Sequence, residues 1–216
     1  MASQADRGVA PGRGRSSREV IGEGAIGEVV ARESVILVDD QDREIGTAEK
    51  LAAHRDGGRL HRAFSVFLVD GRGRLLLQRR SASKYHFPSL WTNACCSHPR
   101  PGEEVIDAAR RRVREELGVD ASLRPVFCFI YSAEDAASAF TEREYDHVLL
   151  GRLSVEPRPD PDEIEAIEWR DPDLLLADVE SRPERYTPWF RVALPKLLQR
   201  MKPGLALSEE VDDLAG

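Results

Sequence analysis

Glu142 and Glu144 are separated by a single residue. On a strand that spacing puts both carboxylates on one face, where they either edge a solvated sheet or hold a cation. A second acidic set lies in Arg111-Arg112-Val113-Arg114-Glu115-Glu116-Leu117-Gly118-Val119. There Arg112 and Glu116 are four apart and share a helix face, as do Arg112 and Glu115 at three. The plain account is a set of surface ion pairs worth roughly a few tenths of a kcal/mol each. Cations that could grip a phosphate are also present. Arg79 and Arg80 end an apolar run, Lys84 follows, and Lys50 lies upstream. Guanidinium forks take phosphate oxygens bidentately, although any one of these residues alone reads as part of a basic loop. Cys95 and Cys96 are adjacent thiols. In an extended chain they point to opposite sides, so both cannot face one substrate. Imidazoles or metals nearby would shift a thiol from its free pKa of about 8.5. Cys128, inside an apolar run, reads as a buried inert thiol.

The whole chain bounds what such groups could serve. Its 216 residues suggest one domain, or one domain with tails, and suffice for a sizeable core. Hydrophobic residues make up 41% and charged residues 32%, ordinary for a globular protein. The net charge of −7 argues against broad nucleic-acid binding, which favours a basic stripe. It leaves room for a small anionic substrate held by a few local arginines. Three cysteines make a poor disulfide framework and point to a reducing compartment. There is no apolar leader core, and no stretch approaches the roughly 20 apolar residues that span a bilayer. The expectation is a cytoplasmic monomer with no membrane or nucleic-acid partner.

The elements that must position these groups alternate in type. Residues 1–30, rich in Gly, Arg, Ser and Ala, read as a disordered tail, and residues 203–216 as a flexible acidic one. Residues 31–202 are then the folded domain. Ser34 to Val38 reads as a strand, followed by a turn at Asp39-Asp40-Gln41-Asp42. Phe64, Val66 and Leu68 alternate up to Asp70-Gly71, a hairpin signal, and Leu75-Leu76-Leu77 returns. A helix is expected from Glu103 to Leu117, opening with acids and stopping at Gly118. Strands are expected at 126–131, 147–153 and 164–169, and a last helix at 189–201. The class is α/β or α+β, a single layered domain.

Several segments carry a resemblance. The Arg111–Val119 stretch resembles the second half of the Nudix box, keeping Glu103, Arg111, Glu115, Glu116 and Gly118. It departs at Ser97, where the box begins with Gly, and at Arg112, where a Glu is usual. Upstream, Leu51-Ala52-Ala53-His54 and Arg59-Leu60-His61-Arg62-Ala63-Phe64-Ser65, and then Leu90-Trp91-Thr92-Asn93-Ala94-Cys95-Cys96-Ser97-His98-Pro99, are similar to the type I isopentenyl-diphosphate delta-isomerases. So are Glu142-Arg143-Glu144 and Tyr186-Thr187-Pro188-Trp189 downstream. The resemblance covers roughly residues 33–200, in order, and implies a Nudix-like mixed β-sheet sandwiched between helices. It also implies isomerisation of isopentenyl to dimethylallyl diphosphate.

The resemblance selects residues. His54, His61 and His98 are three of the five histidines, and with Glu142 and Glu144 they make a five-ligand set suited to Mn²⁺, Zn²⁺ or Mg²⁺. Lys50, Arg80, Lys84 and Arg112 match the diphosphate-binding positions. A Mg²⁺ arriving with the diphosphate would bind Glu116 and the backbone carbonyl of Cys96. Cys96 and Glu144 would be the proton-transfer groups, Tyr131 would assist Glu144, and Trp189 would stabilise a carbocation through its π face. The rival reading, a Nudix hydrolase of a nucleoside or other diphosphate, keeps the fold but leaves Cys96 and Trp189 without a role. A silent diphosphate-binding module would bind without turnover.

Overall fold

The computed structural model describes residues 33–201; the two expected tails, residues 1–30 and 203–216, lie outside the described residues. In chain order the elements are β1 (Ser34–Val38), β2 (Glu44–Glu49), α1 (Lys50–Ala53), β3 (His61–Val69), β4 (Leu75–Arg80), β5 (Trp91–Thr92) and β6 (Cys95–Ser97). There follow α2 (Val105–Leu117), β7 (Leu123–Asp135), β8 (Phe140–Arg152), β9 (Ile164–Arg170), α3 (Pro172–Ser181), a 3₁₀ turn (Pro183–Arg185) and α4 (Pro188–Met201).

β3 organises the sheet. It runs parallel to β8 along its whole length, from His61 opposite Glu144 to Val69 opposite Arg152. It is antiparallel to β1, β4 and β6. β8 pairs in turn with β7, and β4 with β9 and β5. The mixed sheet curls, and a helix covers each side. Phe64, Val66 and Leu68 face Ala108, Ala109, Val113 and Leu117 of α2. Phe67 and Val69, on the other side, meet Phe190, Ala193, Leu194 and Leu197 of α4. The period of two that separates these sets is that of a strand. With helices on both sides, however, the residues between Phe64, Val66 and Leu68 are buried too, as expected of a sheet covered on both faces.

The expected helix starts two residues later, at Val105, with Glu104 as its N-cap. It ends at Gly118 as expected, with φ +64 and its N–H donating to the Arg114 carbonyl at 3.0 Å. That left-handed conformation favours glycine. β7 and β8 are longer than their apolar runs suggest, 13 residues each. Cross-strand partners carry them through the polar stretch that holds Glu142 and Glu144. The short α1, β2, β5, β6 and α3 carry no strong period and were not expected. Cys128 is corrected: it is exposed, with Sγ 3.2 Å from His147 Nδ1. In β7 the odd-numbered residues turn inward over Phe129 to Asp135, and Cys128 falls on the other side.

Candidate active site

The segment around the two cysteines is fixed by its own side chains. Asn93 Nδ2 donates to the carbonyls of Cys95 at 2.6 Å and Val66 at 3.2 Å, and Thr92 Oγ1 donates to Asn93 Oδ1 at 2.8 Å. This holds β6 against β3, with Cys96 opposite Ser65. Thr187 closes the arrangement from the far end of the chain. Its N–H reaches the Trp91 carbonyl at 3.0 Å and its hydroxyl reaches Thr92 Oγ1 at 2.8 Å, which seats Trp189 at the start of α4. Each strongly spaced motif of the sequence is thus a brace as well as a source of chemistry.

The imidazoles and carboxylates meet at the start of β3. The ligand atoms of His54, His61, His98, Glu142 and Glu144 all lie within 4.8 Å of one another. Parallel pairing puts His61 beside Glu144, and both acids of β8 face inward, 2% and 8% exposed. Nδ1 of His54 donates to the Lys50 carbonyl at 2.6 Å, and Nδ1 of His61 to the Arg59 carbonyl at 2.7 Å. A carbonyl only accepts, so each Nδ1 carries a hydrogen and each ring turns its Nε2 inward. His54 Nε2 meets Glu142 Oε2 at 3.0 Å, and His61 Nε2 meets His98 Nε2 at 3.1 Å. Imidazole nitrogens and carboxylate oxygens thus crowd one point. The donor set therefore fits a divalent metal ion.

Charges follow the same logic. Burial would raise the Glu142 carboxyl, yet His86 and His54 outweigh it and hold it well below the usual range. Burial and then Glu142 push Glu144 up, while the imidazoles of His61 and His98 beside it bring it below its ordinary value. Burial drives His98 down to about 4. Glu144 divides its two oxygens: Oε1 lies 2.8 Å from His98 Nε2, and Oε2 accepts from the Tyr131 hydroxyl at 2.5 Å. Burial above all raises the Tyr131 phenol well above its ordinary value. Chiefly through burial, the Cys96 thiol is pushed up to about 12.

Most of the residues singled out from the sequence line one narrow cavity of about 60 Å³: Lys50, Arg80, Lys84, Cys96, His98, Arg112, Tyr131, Glu144 and Trp189. His54, His61 and Glu142 lie behind its wall, 0%, 0% and 2% exposed. Glu116 is buried beneath Arg112, which grips its Oε1 at 2.7 Å, while Gln78 reaches Oε2 at 3.3 Å. A larger cleft of about 400 Å³ adjoins this cavity, shares Lys50, Ser97, His98 and Arg112 with it, and adds Arg100 and Arg111. The Arg80 guanidinium lies 5.4 Å over the Trp189 ring.

Three residues of the site have no counterpart in the sequence reading. Glu163 bridges Lys84 and Arg112, the latter at 3.1 Å. Glu33 pairs with Lys50 at 2.7 Å. His86 contacts Glu142 at 2.5 Å. The only available signal was for His86, a histidine two residues past Lys84; Glu33 and Glu163 carry none, because pairing across 17 and 79 residues of chain has no local pattern.

The chain matches the NUDIX domain over residues 59–190. The fold is shared with a crystal structure of DR0079 from Deinococcus radiodurans, at TM-score 0.63 and 27% identity, covering 76% of this chain and 98% of that one. It is shared too with a MutT protein from Methanosarcina mazei, at TM-score 0.54 and 17% identity over 66% of this chain and 96% of that one. Sequence relatives are nearer. An isopentenyl-diphosphate Delta-isomerase of Halorhodospira halophila is 54% identical over 74% of this chain and 91% of its own length. One of Nocardia farcinica is 49% identical over the same shares, 74% and 91%. With that identity over nearly the full length of the relatives, on a Nudix fold whose box has Arg112 in place of a carboxylate, the chain belongs to the isopentenyl-diphosphate Delta-isomerase family.

Proposed function

We propose that this enzyme interconverts isopentenyl and dimethylallyl diphosphate, and that its own residues divide the work as follows. The observation that carries the reading is one cavity bounded by the Cys96 thiol, by the Tyr131–Glu144 pair and by the Trp189 ring. The substrate alkene has no carbonyl to acidify its protons. Isomerisation therefore adds a proton to the terminal methylene, giving a tertiary carbocation, and removes one from the carbon on the other side. One proton enters and one leaves. Cys96 and Glu144 are the two proton-transfer groups. The Tyr131 hydroxyl, bonded to Glu144 Oε2, orients that oxygen and helps move its proton. Trp189 stabilises the cation through its π face, an effect that reaches about 2 kcal/mol in a desolvated site.

Arg80, Lys84, Arg112 and Lys50 bind the diphosphate. Lys84, Arg112 and Lys50 are held by Glu163 and Glu33, so the substrate enters in exchange for carboxylates already in place. His54, His61, His98, Glu142 and Glu144 hold a divalent ion, Mn²⁺, Zn²⁺ or Mg²⁺. Glu116, with the Cys96 carbonyl, would hold a Mg²⁺ that accompanies the diphosphate. When bound, these ions neutralise anionic charge and order the carboxylates. Hydrolysis is disfavoured by Arg112, which stands where the box usually has a carboxylate and, paired with Glu115, Glu116 and Glu163, supplies no metal ligand of its own. We further propose that residues 31–202 are the isomerase domain of a cytoplasmic monomer without nucleic-acid or membrane partners, supported by the acidic net charge and the odd cysteine count. Among the described residues, no helix is long and apolar enough to cross a membrane.

Proton NMR of the enzyme with isopentenyl diphosphate and Mg²⁺ in D₂O tests the reading. Deuterium entering the allylic product is expected. Release of inorganic phosphate or of a monophosphate from nucleoside diphosphates, with no deuterium uptake, would establish the hydrolase instead.

A further inference from the structure

His86 lies outside the five-ligand set, yet it is 8% exposed and borders the cavity. Its Nε2 sits 2.5 Å from Glu142 Oε1. A nitrogen and a carboxylate oxygen approach that closely only with a hydrogen between them, so His86 is the donor. The other oxygen, Oε2, faces His54 Nε2, and the Nδ1 of that ring donates to the Lys50 carbonyl. Glu144 is arranged in the same way: one oxygen toward the imidazoles, the other fixed by the Tyr131 hydroxyl. Each acid of β8 thus has one oxygen for the centre and one held by a donor from outside it.

The segment that carries His86 is itself held. Arg80 donates to the carbonyls of His86 at 3.1 Å and Phe87 at 3.0 Å. The Phe87 N–H is taken by Asp135 Oδ2 at 3.1 Å, in a residue with φ +46. Phe87 pays for that left-handed backbone only because both contacts restrain it. Tyr85 packs on the His86 ring at 4.3 Å. The donor therefore reaches Glu142 from a fixed position.

We propose that His86 is a positioning residue of the divalent-metal site, turning Glu142 Oε2 toward the metal by binding Oε1. The proposal rests on the five-ligand reading given above. Ligating carboxylates are oriented by outer hydrogen bonds, and losing such a partner costs roughly 10- to 100-fold in metal affinity.

The test is calorimetric titration of Mn²⁺ into metal-stripped full-length protein, for the parent, His86→Ala, His86→Leu, His86→Gln and His54→Ala, with circular dichroism of each. His86→Ala and His86→Leu should both bind Mn²⁺ roughly 10- to 100-fold more weakly. His86→Gln, which keeps an N–H donor of similar reach, should recover most of the loss. His54→Ala should lose the site. If His86→Ala or His86→Leu folds and binds Mn²⁺ like the parent while His54→Ala does not, the inference falls and the ligand set stands. If His54→Ala binds like the parent as well, the ligand set falls and the inference with it. Should one of the two donor-free variants fail to fold, the other decides.

Discussion

Cys95 and Cys96 are chemically the same and sit one residue apart, yet the pleat separates them. Cys95 is fully buried against α2, among Ala108, Ala109 and Val113, while Cys96 turns toward α4 and lines the cavity. Cys96→Ala should lower kcat by at least about 100-fold, as expected for losing a proton-transfer group, with the fold and diphosphate binding intact. Cys95→Ala should cost about 1 kcal/mol of stability and little turnover. Parental kcat in Cys96→Ala, with circular dichroism showing a folded protein, would remove the thiol from the mechanism. Glu144→Gln keeps the shape but is no base, so kcat should fall far more than KM rises. Glu163 offers a test by pH. Burial opposes its ionisation, but Lys84 and then Arg112 prevail and hold it at about 2, below its ordinary 4.5. A lowered carboxylate contributes stability above pH 4.5 that is lost as pH falls toward 2. Glu163→Gln resembles the protonated acid. Urea midpoints of parent and variant should therefore differ at pH 6 and converge near pH 2; a constant gap would show that the ion pairs add nothing.

At the scale of elements, the end of α2 joins two parts of the site. The carbonyls of Glu116 and Leu117 accept from the Asp160 and Arg158 N–H groups at 2.9 and 2.7 Å, and that loop leads directly to Glu163. Gly118 makes the turn. A methyl group there would stand 3.1 Å from the Arg158 carbonyl oxygen, in a backbone with φ +64. Gly118→Ala should cost about 1–2 kcal/mol, read by chemical denaturation. It should also raise KM for the diphosphate, because Glu116 and Arg112 share that helix end. A variant as stable as the parent would show that the loop yields without strain. β8 shows the same economy: its period of two aims Glu142 and Glu144 at one centre, and its parallel register with β3 brings His61 to meet them.

For the whole molecule, the described residues 33–201 bury two apolar layers of their own, one on each side of the sheet. Removing residues 1–30 should leave folding and turnover nearly unchanged; a large loss of activity in the folded, truncated enzyme would give that segment a part in the site. Metal binding should stabilise the fold by linkage. Mn²⁺ should raise Tm of the stripped parent and leave Tm of His61→Ala unmoved, and an equal rise in both would place the ion elsewhere. The sequence by itself determined what is local or periodic. The strand at 34–38, the stop at Gly118, the shared face of Glu142 and Glu144, and the opposite faces of Cys95 and Cys96 all follow from backbone geometry and a side-chain period. The ordered motifs around His54, His61, Cys96 and Trp189 supplied the family. What only the tertiary structure decided is long-range. Glu163 and Glu33 hold the diphosphate cations, His86 bonds Glu142, and Cys128 is exposed. Each depends on which strands lie side by side after the sheet curls, and contacts made across tens of residues leave no period in the chain.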